Sequence, residues 1–187
     1  MTQDVATRLW NARMEGDILP RDFKGYPETE ADGYSIQSHL ISVSGLPVIG
    51  WKIGATTEAL LGTLGLSQPF PGPLFSKFTH ANDAEVKIRS GHSLEAEFSI
   101  RMKEGLPYRT ERYSRSDIER AVGSICPSFE IVGKRFEGPA PGAGFRLIAD
   151  GGANVASVMG AAIEDWSAFD LTDHHMTLSV NDETVVE

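Results

Sequence analysis

The chain has 187 residues, with 17 lysine and arginine residues against 26 aspartate and glutamate residues, and a formal net charge of −9. Its length suits one good-sized domain, and 41% hydrophobic against 23% charged residues excludes a disordered chain. One cysteine excludes a disulfide framework, the lack of a long apolar run excludes a membrane span, and the negative charge argues against nucleic acid. We therefore expect a cytoplasmic protein without nucleic-acid or membrane partners.

The acidic surplus lies at one end of the chain. Eight acidic residues and no lysine or arginine follow Arg146, which leaves residues 1–146 with 18 acidic and 17 basic residues. Such an asymmetry indicates a docking surface, a metal-rich end or a missing neutralising segment.

The predicted elements change in character along the chain. Apolar residues at helical spacing, among them Leu9 and Met14, predict a first helix up to Gly16, and Thr29 as N-cap predicts a second helix to about Ser42. The rest of the chain predicts strands at 48–53, 94–102, 129–132, 145–149 and 176–180, helices at 58–64 and 116–124, and loops at 65–73 and 138–144.

A capping box of Ser116 and Glu119 is predicted to start the helix at 116, and the pair Asn181-Asp182 predicts a hairpin turn near the end. We expect one α+β fold with an N-terminal helical region over 1–47 and a mainly antiparallel β body over 48–187.

Two glutamates lie on one face of the predicted strand 94–102. Apolar and polar side chains alternate along it, so that Glu95 and Glu97 share a side about 7 Å apart at the backbone. Carboxylates held so close repel each other, and a divalent cation is one way to relieve that repulsion. The alternative is an ordinary solvated sheet face.

Glu130 lies between Phe129 and Ile131 in an otherwise apolar segment. A buried carboxylate needs a partner because its desolvation is costly. The sequence offers Lys134, Arg135 or a metal ion as that partner and leaves the three open.

Lys52 interrupts an apolar predicted strand and has Gly50 and Gly54 on its own face. Glycines on both sides would leave room around the ammonium group for an anionic ligand. The alternative is an edge-strand lysine that opposes aggregation.

Taken in this order, these residues resemble the 2-keto-4-pentenoate hydratase/2-oxo-hepta-3-ene-1,7-dioate hydratase group of the fumarylacetoacetate hydrolase superfamily, which includes 4-oxalocrotonate decarboxylase. The matching segments cover essentially the whole chain and lie at 34–37, 50–56, 65–75, 94–97, 129–135 and 149–160.

The resemblance implies that Glu95, Glu97 and Glu130 bind a Mg²⁺ or Mn²⁺ ion, and that Lys52 and Asp150 belong to the catalytic site. It implies a hydratase that adds water to a 2-hydroxy-2,4-dienoate in aromatic catabolism, working as a homo-oligomer or with a related subunit. A 2-oxo acid decarboxylase and an acylpyruvate C–C hydrolase are the alternatives within the superfamily.

The chain departs from the family pattern in several places, among them Ser76, Lys77, Arg101 and Lys134, and two further departures bear on the site and on the fold. Gly151, Gly152 and Ala153 replace the polar residues that usually follow the Ala-Asp pair, with Asn154 as their substitute. Relatives also continue beyond the predicted C-terminal hairpin, which implies a truncated catalytic domain with an incomplete sheet. A catalytically silent subunit is therefore an alternative from another functional class.

Overall fold

The computed structural model describes residues 2–138, 143–171 and 173–186. Within them the helices are α1 (Thr2–Glu15), α2 (Glu30–Ser44), α3 (Glu58–Leu64), α4 (Arg115–Ala121) and α5 (Ala143–Ala149). The strands are β1 (Val48–Gly54), β2 (Phe70–Phe75), β3 (Thr79–Ala81), β4 (Ser93–Met102), β5 (Val122–Val132), β6 (Asn154–Met159), β7 (Leu178–Val180) and β8 (Glu183–Val186). The predicted mixture of helices and strands is confirmed, and none of the described helices has the length and apolar character to cross a membrane.

The two N-terminal helices form where capping and spacing predict them. Thr29 is the N-cap of α2, and a capping box joins it to Asp32 through bonds of 3.0 and 3.1 Å. Gly45 ends the helix in the left-handed conformation with φ 62°, which glycine adopts without steric cost.

The strands form two antiparallel pairs and one four-stranded sheet. β1 pairs with β2, with Lys52 opposite Gly72, and β7 pairs with β8. The third sheet has the order β3-β6-β5-β4. The predicted C-terminal hairpin is confirmed, since Asn181 and Asp182 both have positive φ, as a two-residue turn requires. Glu187 lies outside the described residues.

Two predicted elements are wrong. Residues 145–149 form helix α5 rather than a strand, because Gly144, Ile148 and Ala149 bury one helical face. The predicted loop 65–73 ends early, because β2 begins at Phe70. Its prolines are tolerated since a strand with a single partner needs hydrogen bonds on one side only. Residues 139–142 of the other predicted loop lie outside the described residues.

The region around α4 differs in detail from the prediction. The capping box is Ser114 with Asp117, two residues before the predicted pair of Ser116 and Glu119. The helix ends at Ala121, and β5 follows directly, so that the predicted short strand 129–132 is the last part of an eleven-residue strand. β6 was not predicted.

Contacts divide the chain into two compact units. The first comprises Met1–His80, Ala84–Glu95 and Glu130–Ser157, and the second comprises Ala81–Asp83, Ala96–Phe129 and Val158–Glu187. The main core of the first unit joins α1, α2 and β2, and its largest buried side chains include Val5, Leu9, Ile36, Leu40 and Phe75.

Candidate metal centre

Three carboxylates converge on β4 and β5. Glu95 and Glu97 follow each other on one face of β4, and Glu130 lies on β5, the neighbouring strand of the sheet. One carboxylate oxygen from each lies within 4.8 Å of the other two. Glu95 is exposed, Glu97 is half-buried and Glu130 is buried, so the cluster combines solvent access with a fixed inner ligand.

Glu130 is held by two neighbours of the first unit. Its Oε2 lies 3.0 Å from the Nζ of Lys52, and both side chains are buried, with 1% and 8% exposed. Its Oε1 accepts a hydrogen bond of 2.9 Å from Asn154 Nδ2. Neither Lys134 nor Arg135 is its partner, so the cation that balances Glu130 comes from the distant strand β1.

The Oε2 atom of Glu130 keeps free bonding capacity. It is buried, and its contact with a described residue is the 3.0 Å ion pair with Lys52 Nζ, which leaves a second lone pair of this oxygen open. Burial raises the pKa of Glu130, while Lys52 and Asn154 oppose this rise. A divalent cation fits this position, since carboxylate oxygens are the ligands that Mg²⁺ and Mn²⁺ prefer.

The space for Lys52 comes from glycines other than the predicted ones. A Cβ on Gly152 would lie 2.7 Å from Lys52 Cδ, and one on Gly72 would lie 3.2 Å from it. By contrast, a Cβ on Gly54 would meet the ring of Phe70, and one on Gly50 would make ordinary contacts with Leu74. Because the lysine side chain is buried, it is not an exposed lysine that protects a sheet edge.

Asp150 forms a second buried ion pair. Its Oδ1 accepts from Arg135 Nε at 2.6 Å and its Oδ2 accepts from the backbone N–H of Arg135 at 3.1 Å. Burial raises the pKa of Asp150, and Arg135 opposes the rise. The Arg135 guanidinium also donates to the carbonyl oxygen of Asn154 at 2.9 Å. Asp150 is therefore linked to Glu130 through Arg135 and Asn154.

Arg13 of α1 joins the same network and is not among the predicted site residues. Its guanidinium donates to the carbonyl and side-chain oxygens of Asn154. The available signal was helical spacing, because Val5, Leu9 and Arg13 recur at every fourth residue on the buried face. Met14, which the helical spacing places on the apolar stripe, is 43% exposed.

Comparison with known proteins identifies relatives of this chain. No protein-family model matches the chain. The 2-keto-4-pentenoate hydratase of Paraburkholderia xenovorans is 28% identical over 138 residues, which are 71% of this chain and 51% of the relative. The chain thus spans about half the length of the curated relatives it matches.

Solved structures share the fold. The 4-oxalocrotonate decarboxylase from Pseudomonas putida G7, complexed with calcium and acetate, matches with a TM-score of 0.80 and 22% identity, covering 98% of this chain and 71% of that one. The same enzyme complexed with magnesium and adipate matches with a TM-score of 0.73 and 21% identity, covering 89% and 65%. This likeness establishes a decarboxylase-like fold for the chain.

Proposed function

Since the chain belongs to the 2-keto-4-pentenoate hydratase group of the fumarylacetoacetate hydrolase superfamily, we propose that it works as a metal-dependent hydratase. The substrate is a small 2-hydroxy-2,4-dienoate, the dienol tautomer of a 2-oxo-4-enoate, from the breakdown of aromatic compounds. One observation carries the proposal: three carboxylate oxygens lie within 4.8 Å of one another, and one of these residues, Glu130, pairs with the buried ammonium of Lys52.

The described side chains supply the chemistry that this reaction needs. Glu95, Glu97 and Glu130 would hold a Mg²⁺ or Mn²⁺ ion, which stabilises negative charge on the oxygens of a 2-oxo acid. Lys52 binds the acid electrostatically and moves a proton to C5 of the dienol, which becomes a conjugated 2-oxo-3-enoate. Water then adds across this double bond, with its hydroxyl on C4 and its proton on C3, and gives a 4-hydroxy-2-oxo acid. Asp150 stays in the proposed site as a positioning residue. Its carboxylate holds the guanidinium of Arg135, which donates to the carbonyl oxygen of Asn154.

A 2-oxo acid decarboxylase is the second candidate. The fold similarity to 4-oxalocrotonate decarboxylase supports it, with a TM-score of 0.80. Both reactions need stabilised negative charge next to a carboxylate, but in the decarboxylase CO₂ is the leaving group.

The metal site is tested by Mn²⁺ binding, followed through the electron paramagnetic resonance signal of the free ion. Glu95→Gln and Glu130→Gln should each weaken binding about tenfold, because each removes one charged ligand. Glu119→Gln is the control, since Glu119 pairs with Arg115 on α4, and it should leave affinity unchanged. Unchanged affinity in both ligand variants would remove the metal site from the proposal.

The reaction is tested by incubation with 2-hydroxypenta-2,4-dienoate and Mg²⁺. We expect loss of the dienol absorbance that Mg²⁺ stimulates and Lys52→Ala abolishes. Release of CO₂ from 2-oxohex-3-enedioate, without loss of the dienol, favours the decarboxylase. Absence of both activities, together with co-purification of a longer relative, indicates a catalytically silent subunit.

We also infer a cytoplasmic location and assembly as a homo-oligomer or with a related subunit. The names of the relatives are those of metabolic enzymes, which supports the location, and the assembly is what the family resemblance implies. The proposed binding partner of the chain is its substrate, a small carboxylic acid, and we propose neither a nucleic-acid nor a membrane partner.

A further inference from the structure

The guanidinium of Arg13 donates hydrogen bonds to Asn154 and Val155, at the start of β6, and Asn154 in turn binds Glu130. Nη1 donates to the carbonyl oxygen of Asn154 at 2.5 Å. Nη2 donates to the side-chain Oδ1 of Asn154 at 3.2 Å and to the carbonyl oxygen of Val155 at 3.0 Å. The guanidinium also lies 4.3 Å from the centroid of the Phe78 ring. Arg13 is thereby fixed on both sides.

Asn154 is the connection between Arg13 and the carboxylate. Its Oδ1 faces Arg13, and its Nδ2 donates to Glu130 Oε1 at 2.9 Å and to Ser157 Oγ at 3.2 Å. A side-chain amide turned by 180° would exchange its oxygen and nitrogen. The turned amide of Asn154 would then set an oxygen against the Glu130 carboxylate and an N–H₂ group against the Arg13 guanidinium. Both contacts would be repulsive.

We propose that Arg13 is a positioning residue of the metal centre: by binding Oδ1 of Asn154 it fixes the amide so that Nδ2 holds Glu130 Oε1 and Oε2 stays available for the ion. This inference rests on the proposed function, because it assigns Oε2 to the metal. It makes helix α1, which carries none of the proposed ligands, part of the support of the site.

The charge of Arg13 strengthens this arrangement. Burial and the neighbouring Arg135 lower the pKa of Arg13 to about 9, so that its guanidinium remains charged at neutral pH. A charged donor forms a stronger hydrogen bond to Oδ1 than a neutral one. The acceptors in the contact are neutral amide oxygens, so the guanidinium orients Asn154 through hydrogen bonds and interacts with Glu130 only through its charge.

The test compares Mn²⁺ affinity in Arg13→Met, Asn154→Ala and the double variant. Arg13→Met should weaken Mn²⁺ binding about fivefold or more, and Arg13→Lys should restore part of the loss because it keeps the charge. If Arg13 acts through Asn154, the double variant should bind Mn²⁺ no more weakly than Asn154→Ala alone. Arg8→Met is the matched control on the exposed face of α1, where Arg8 pairs with Asp4, and it should bind normally.

A second measurement does not depend on metal. In the metal-free chain, the side-chain amide resonances of Asn154, assigned by their loss in Asn154→Ala, should shift in Arg13→Met and stay in place in Arg8→Met. Unchanged Asn154 resonances in folded Arg13→Met would overturn the inference, as would unchanged Mn²⁺ affinity or strictly additive effects. Where Arg13→Met does not fold, Arg13→Gln takes its place with the same expected directions.

If the wild-type chain binds no Mn²⁺, the proposed function fails, and the inference that Oε2 is kept for the ion fails with it. The amide resonances then report only whether Arg13 orients Asn154.

Discussion

At the scale of single residues, the centre depends on a buried glutamate that is only partly neutralised. Glu130 has one cation, Lys52, at 3.0 Å and one amide donor, Asn154. Desolvation outweighs these two partners, and its pKa is therefore raised above the ordinary value of 4.5. A metal ion would supply the positive charge that the protein itself does not provide in full.

This gives a pH dependence of stability. Between 4.5 and the raised pKa of Glu130, the folded metal-free chain binds a proton that the unfolded chain does not. The free energy of unfolding of the wild type, minus that of Glu130→Gln, should therefore increase as the pH falls through this window, and level off on both sides. Urea unfolding in EDTA from about pH 8 to about pH 4 measures this difference. A difference that stays constant, or that decreases as the pH falls, contradicts the prediction.

At the scale of elements, the sequence predicts what local patterns determine and misses what long-range packing determines. Alternation along β4 was enough to predict that Glu95 and Glu97 share a face, and capping chemistry was enough to predict where α2 begins. The partner of Glu130 was not predictable, because it depends on which distant segment packs against β5. The role of Arg13 was not predictable either, because arginines on amphipathic helices usually face solvent.

The segment after α5 shows how one element shapes the site. Gly151, Gly152 and Ala153 all have positive φ, at 68°, 77° and 59°. These residues appeared in the sequence as a loss of the family's polar groups. In the structure, Gly152 leaves the space that the stem of Lys52 occupies. The sequence could not predict this use, since it requires the packing of β1 against the turn after α5.

Gly152→Ala tests whether Gly152 provides the space for the Lys52 side chain. A Cβ at this position costs about 1 kcal/mol or more through positive φ, and it also meets Lys52 Cδ at 2.7 Å. Gly45→Ala is the matched control, because Gly45 has φ 62° and nothing within 4 Å of its added Cβ. Gly152→Ala should lower both stability and turnover of the dienoate, whereas Gly45→Ala should lower stability only. Equal turnover in the two variants would show that Gly152 does not position Lys52.

At the scale of the whole molecule, the acidic surplus and the metal centre are separate features. All three proposed ligands and Lys52 lie in residues 1–146, where acidic and basic residues nearly balance. The outer face of β1 carries three large apolar side chains that are about half exposed, Ile49 at 57%, Trp51 at 51% and Ile53 at 53%. Apolar patches of this kind are characteristic of protein interfaces, which supports the proposed assembly.

Assembly predicts a solution mass above that of one chain. Light scattering after gel filtration should give a multiple of 20.3 kDa for the purified chain. Trp51→Lys should move the mass towards one chain, because a charge is costly to bury in an interface. Tyr108→Lys is the control, since Tyr108 is 94% exposed. A mass of 20.3 kDa for the wild type at every concentration would contradict the proposed homo-oligomer.

The hydrogen bond between Arg13 and Asn154 joins residues 141 positions apart. During synthesis on the ribosome, α1 and β1 emerge first, and they carry Arg13 and Lys52. The partners of these side chains, Asn154 and Glu130, are synthesised much later. Closing so long a loop carries an entropy cost that only the completed core repays. Arg13 and Lys52 must therefore remain hydrated until β5 and β6 have been made, and the contacts of Glu130 with Lys52 and Asn154 are expected to be among the last of the first unit to form.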